Sequence, residues 1–162
     1  MKLKEKILTA AKETISIEAK AIANLENFID SEFAEAVEHI YKAKGRVIVT
    51  GIGKSAVIAT KIVATLNSTG TPAIFMHAAD AIHGDLGTIQ KDDVVICISK
   101  SGNSPEIKVL VPYIKDFKNL LVGITADRDS FLGKESDFVL NSYVEKEACP
   151  NNLAPTTSTT AQ

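Results

Sequence analysis

Five short apolar runs recur along the chain with helix-length segments between them: "RVIVT" at 46–50, "PAIFM" at 72–76, "VVICIS" at 94–99, "LLVGIT" at 120–125 and "FVLNSYV" at 138–144. None alternates apolar with polar residues in the manner of a half-exposed strand. A strand that is apolar at consecutive positions is buried on both faces, so helices must cover the sheet on both sides, as in parallel sheets. The intervening segments fit: 55–69 reads as a helix stopping at Gly70, 105–118 as a helix entered through Pro105, and 129–135 as a short helix. Residues 77–92 carry no clear period. With right-handed crossovers and short loops, the predicted fold is α/β: a doubly wound, flavodoxin-like parallel sheet in a three-layer α/β/α sandwich.

Ahead of the first strand, residues 3–29 place Leu8, Ile15, Ile22 and Ile29 seven residues apart, with Ala11 and Leu25 between them. Such a stripe suits packing on the chain's own core or against a partner helix, and both readings stay open. A second helix over 33–44, capped by Asp30 or Ser31, stops at Gly45. The expected organisation is one domain over 1–162, with N-terminal helices in 1–44 and an α/β core in 45–162; that length buries a sizeable core.

Eighteen Lys and Arg against 20 Asp and Glu give a net charge of −2, without the basic excess of a nucleic-acid-binding domain. No apolar stretch approaches the roughly 20 residues that span a bilayer, and "MKLKEKILTAAKE" lacks the apolar segment of a secretory signal. Two cysteines, Cys97 and Cys149, make no disulfide framework, and a reducing cytoplasm is the expected setting. His39, on the second helix, and His77, at the end of a strand, read as a surface and a structural residue.

In a doubly wound sheet, ligands bind beyond the carboxyl ends of the strands. The segments leaving those ends are "GIGKS" (51–55), "HAADAIHGDLG" (77–87), "SKSGNSPE" (99–106) and "ADRDS" (126–130). "TGIGKSA" fails as a Walker A loop because Ile48 stands where glycine is needed. As a dinucleotide fingerprint, Gly51, Gly53 and Ala56 pass, but Thr71 stands where an acidic residue belongs. What survives is the physical core of both motifs: glycines let backbone approach a ligand, and amides open toward a helix start that favours anions, with Lys54 adding charge. In "SKSGNSPE", capping of the next helix explains Ser104 alone. A small phosphorylated ligand explains Ser99, Ser101, Ser104, Lys100 and the amides around Gly102 together.

His83 and Asp85 lie in "HGDLG", and an imidazole beside a phosphate site can move protons near neutral pH. Glu145 and Glu147 follow the last strand, so one of them can point into the crevice as a base. "TTSTT" (156–160) is the capped start of another helix or a second hydroxyl surface, and no helix is expected to form before Gln162.

"TGIGKSAVIATKIVATLNSTGTPAIFMHAADAIHGDLGTI", "ISKSGNSPEI" and "VEKEACPNNLAPTTSTTA" together resemble the sugar isomerase (SIS) domain of arabinose-5-phosphate isomerases. The resemblance implies reversible conversion of D-ribulose 5-phosphate to D-arabinose 5-phosphate without a cofactor or metal, feeding 3-deoxy-D-manno-octulosonate synthesis for lipopolysaccharide or capsule. It implies a homotetramer with sites near subunit interfaces. Carried over by position, the catalytic residues are Lys54, His83, Glu106 and Glu147, and the substrate-binding residues are Gly53, Ser55, Ser99, Ser101, Gly102 and Ser104. The family usually has glycine and histidine at Ala56 and Val57, asparagine at Lys100 and glutamate at Asn103, and "SGNS" is similar to heptose-phosphate isomerases. Members continue with a further helix bearing a second active-site histidine, and often a tandem CBS module, all expected to be absent here. The alternatives are a sugar-phosphate-sensing SIS module without catalysis and an isomerase of another sugar phosphate such as a heptose phosphate.

Overall fold

The computed structural model describes residues 2–162, and the five apolar runs form one parallel sheet of β1 (Val47–Gly51), β2 (Ala73–His77), β3 (Val94–Ile98), β4 (Leu120–Thr125) and β5 (Phe138–Asn141). Their order is β2-β1-β3-β4-β5, so the chain runs outward from β1 to β2 and then returns to build the other half. Register is continuous: Val49 sits between Phe75 and Ile96, and Ile96 also faces Val122.

Helices cover both faces, as the uninterrupted apolar strands require. On one face Ile48, Val95, Cys97 and Leu121 pack against Ala78 and Ala81 of α4 (Ala78–Ala81), Ile107 and Leu110 of α5 (Pro105–Asp116) and Leu132 of α6 (Phe131–Glu135). On the other, Val47, Val49, Ile96 and Ile98 meet Ala36 of α2 (Ser31–Lys42) and Ala59 of α3 (Lys54–Ser68). Burial pushes the Cys97 thiol up to about 12, so it serves as a small apolar side chain.

Several boundaries shift for local reasons. Asp30, not Ser31, caps α2: its Oδ1 accepts from Phe33 N at 3.1 Å, moving the helix to 31–42 rather than 33–44. The helix expected to reach residue 118 ends at Asp116, where Lys118 takes φ 60. The strand expected to reach residue 144 stops at Asn141, whose Oδ1 accepts from Tyr143 N at 2.8 Å and turns the chain away. Residues 77–92, expected to be irregular, hold α4 and a 3-10 turn over Asp85–Thr88. "TTSTT" does form a short helix, α7 (Thr157–Ala161), against the expectation that none would.

The first helix, α1 (Leu3–Leu25), buries none of its residues; Leu8, Ile15 and Ile22 are 61%, 68% and 43% exposed, and Ile29 just beyond it 56%. Its stripe therefore does not cover the chain's own core, although the helix packs beside α7. No helix among the described residues is long and apolar enough to cross a membrane.

Candidate functional site

The strand order reverses between β1 and β3, and the segments leaving those strands share one cleft of about 250 Å³. Ile52, Lys54 and Ser55 come from the turn after β1 and the start of α3; Ser99, Lys100, Ser101 and Ser104 come from the loop after β3. The third wall is the end of the chain, with Ser158, Thr159 and Gln162. Gly53, at the cap position of α3, takes φ 59, a conformation that costs other residues free energy. That turn leaves the first amides of a 15-residue helix open, the arrangement that attracts an anion.

The loop over 99–104 is fastened on every side. Gly102 has φ 62, and its N–H donates to Ser99 O at 3.0 Å and Ser99 Oγ at 3.2 Å. Its carbonyl accepts from Leu132 N at 2.9 Å, while Lys100 O accepts from Ala126 N at 3.0 Å and Thr125 Oγ1 at 3.2 Å. A Cβ on Gly102 would lie 2.0 Å from Ser130 Oγ. Ser104 occupies the cap position of α5, yet its side chain makes no capping bond; Oγ lies 3.4 Å from Ser99 Oγ instead. The plain capping explanation therefore fails even for Ser104; Ser99 Oγ and Ser101 Oγ accept from Gly102 N and Asn103 N within the loop, which leaves their O–H groups as donors.

Glu147 does not line the cleft itself; it lines a neighbouring hollow with Glu13, Lys146 and Cys149, its side chain 4% exposed, and reaches the cleft through Lys100. Its two oxygens have different partners. Oε2 accepts from Thr156 N at 2.8 Å, Thr156 Oγ1 at 3.2 Å and Ser158 N at 3.1 Å, whereas Oε1 accepts from Lys100 Nζ at 2.5 Å. Burial alone would raise this carboxyl; Lys100 and the Ser158 and Thr156 donors outweigh it and hold it at about 2. Carboxylate and chain end thereby order each other. The same segment is tied to the cradle by Ser55 Oγ, which donates to Gln162 Oε1 at 3.1 Å.

The remaining expected residues sit apart. Glu106 is half-buried in the first turn of α5, and His83 is exposed just past α4, its N–H donating to Asp80 O at 2.9 Å; neither lines the cleft. Glu145 is exposed. His77 ends β2 with Nδ1 3.8 Å from Asp80 Oδ2, and His39 is exposed on α2. Ser158 and Thr159 line the cleft from "TTSTT", which the sequence offered as a second hydroxyl surface; what it did not single out are Gln162 and the amides of Thr156 and Ser158 that hold Glu147. No group of three or more His, Cys, Asp or Glu side chains gathers as a metal site among the described residues. Chemically, the cleft can hold a small anion with two lysines, the serines of its two turns and a helix start, next to a carboxylate.

Known proteins bear on this arrangement. Residues 39–162 match the SIS domain family. The chain is 49% identical over 154 residues to arabinose 5-phosphate isomerase KdsD of Francisella tularensis and 47% identical over 152 residues to that of Yersinia pestis. These alignments cover 93% and 94% of this chain but 47% and 46% of the relatives, so the chain spans about half the length of the curated proteins it matches. Among solved structures, an Escherichia coli CFT073 protein in complex with arabinose 5-phosphate superposes with a TM-score of 0.93 at 38% identity, covering 99% of this chain and 85% of that one. The matched span contains the whole sheet and every wall of the cleft, and the chain belongs to the SIS domain family.

Proposed function

We propose that this chain carries the reaction site of an aldose–ketose isomerase that interconverts D-ribulose 5-phosphate and D-arabinose 5-phosphate. The observation that carries the reading is the meeting of Lys54, Lys100 and the serines of two turns in one cleft at the reversal of strand order, a cradle sized for a phosphorylated sugar. The names of the relatives and the arabinose 5-phosphate complex of a structural neighbour support the choice of sugar.

The reaction shifts one proton between adjacent carbons. A base takes a proton from C1 of the ketose; the C–H pair becomes the C1–C2 double bond, and the carbonyl pair moves onto the C2 oxygen. The C1 hydroxyl proton then moves to that oxygen, and protonation at C2 completes the aldose. Hydrogen is redistributed within one molecule, so no external oxidant or reductant enters the balance. Ser55, Ser99, Ser101, Ser104 and the amides at Gly53 and Gly102 grip the phosphoryl group, fixing the open-chain sugar in line. Lys54 faces the oxyanion that develops during enolisation, a role of roughly 3–4 kcal/mol for a well-placed donor. Proton transfer falls to Glu147 or Glu106, a contribution of about 10²–10⁴-fold. His83 assists ring opening or proton movement between the oxygens.

In this reading the working form is a homotetramer in the cytoplasm, supplying 3-deoxy-D-manno-octulosonate synthesis for lipopolysaccharide or capsule. The exposed stripe of α1 offers the packing surface, and an exposed His83 away from its own cleft suits a site near a subunit interface. Glu106→Gln and Glu147→Gln, made separately and assayed for ribulose 5-phosphate turnover, test the assignment. Loss of turnover in at least one is expected; full activity in both ends it.

A further inference from the structure

Glu147 is an unusual candidate base, because the described structure shows both of its oxygens engaged. The two ends of the carboxylate are nevertheless held very differently. Oε2 is fixed by backbone amides of Thr156 and Ser158, rigid donors belonging to the ordered chain end. Oε1 has one partner, the ammonium of Lys100, whose side chain is 46% exposed and lines the cleft. A lysine head on a four-carbon stem reorients easily, and it binds a phosphoryl group as readily as a carboxylate. Lys100 is also flanked by Ser99 and Ser101, the hydroxyls of the anion cradle.

We propose that Lys100 is a positioning residue shared between Glu147 and the substrate: an anionic phosphoryl group in the cleft draws Nζ away, leaving Glu147 Oε1 free to accept the proton. This deepens, and rests on, the isomerase reading of the site. The amide bonds to Oε2 keep the carboxylate in place during the exchange, so it stays beside the residues that line the cleft when Lys100 leaves. The driving force is charge: the cleft gains a dianion, and the ammonium moves from a single negative charge toward a double one. Once its counter-ion has left, burial acts on Glu147 with less opposition and makes it a stronger base. The enzyme therefore keeps its base quenched until substrate arrives. Other ionisable groups near Glu147 are Glu13 of α1 and, on its own segment, Lys146 and Cys149, which line the hollow on its far side. None of them bonds to Glu147 Oε1, whose one partner is Lys100 Nζ.

The test follows the Glu147 carboxyl directly. The whole protein, labelled with carbon-13 at glutamate side-chain carboxyls, is titrated by NMR with sodium sulfate as a dianionic probe or with chloride at equal ionic strength; Glu147→Gln assigns the resonance. Sulfate is expected to raise the Glu147 midpoint by one pH unit or more above its value in chloride, into the range where sulfate is a dianion, while shifting the amide signals of the 99–104 loop. Lys100→Met is expected to raise the midpoint without sulfate and abolish the sulfate response, and to move the acid limb of kcat/KM upward; Lys100→Arg restores both. Sulfate binding in the loop with an unmoved Glu147 midpoint overturns the exchange and leaves the isomerase reading standing. A shifted midpoint in a protein that does not turn over ribulose 5-phosphate supports the exchange and overturns the isomerase reading. No sulfate binding overturns the exchange and the anion cradle together.

Discussion

Ser55, in the first turn of α3, donates from Oγ to Oε1 of Gln162 at 3.1 Å, across 107 positions of sequence. This bond is one fastening of the third wall of the cleft, beside the bonds of the Thr156 and Ser158 amides to Glu147 Oε2. Ser55→Ala and Gln162→Ala are each expected to cost about 0.5–1.5 kcal/mol of stability, the ordinary worth of one such bond. Because the wall loosens rather than disappears, the apparent affinity for sugar phosphate should fall several-fold. Denaturant unfolding and isothermal titration of each variant check both values.

Gly102 cannot accept a side chain for two separable reasons. Its φ of 62 strains other residues, and a Cβ would overlap Ser130 Oγ at 2.0 Å and Ser130 Cβ at 2.5 Å. Gly102→Ala is expected to destabilise the protein by about 2–3 kcal/mol and to weaken anion binding. Because Ser130 Oγ caps α6 through Gly133 N and donates to Asp127 O, the overlap is read as the non-additive part of a cycle with Ser130→Gly alone, the remainder being due to φ. Thermal melts of the single and double variants separate them.

The depressed Glu147 carboxyl makes stability depend on acid. A group whose folded value lies near 2, below the ordinary 4.5, contributes stability that is complete above 4.5 and lost as pH falls toward 2. Lys100, the charged partner, is half-exposed, which reduces the effect. Wild type is expected to lose about 1–2 kcal/mol more than Glu147→Gln between about pH 6 and pH 3, read by urea unfolding at each pH.

The α1 stripe predicts assembly through helices. Ile15 and Ile22, 68% and 43% exposed, bury little within the chain, so Ile15→Asp and Ile22→Asp should leave the fold of a single chain intact. Analytical ultracentrifugation is expected to show a smaller assembly for the double variant than for wild type. Identical sedimentation of the two removes α1 as an interface.

The strands were legible because burial on both faces writes itself as an unbroken apolar run, and all five fell where those runs lie. Their ends were less so. Asn141 stops β5 by accepting from Tyr143 N, a competition between side chain and ladder that hydropathy does not register. That the turns "GIGKS" and "SKSGNSPE" meet in one cleft was legible because both leave the carboxyl ends of β1 and β3, where the strand order reverses. The chain end was not: Thr156 and Ser158 matter through amides aimed at Glu147, and backbone direction has no signature in residue type. Nor does sequence order bring His83, Glu106 or Glu147 onto the cleft walls; only Glu147 is joined to them, through Lys100 and Ser158.

The most direct test of the central claim is incubation of the purified protein with D-ribulose 5-phosphate in deuterated water, followed by NMR of the sugar. D-arabinose 5-phosphate carrying solvent deuterium at C2 is expected, with Glu147→Gln losing at least about 10²-fold in rate. Ribulose 5-phosphate that binds but returns unchanged and free of deuterium would contradict it.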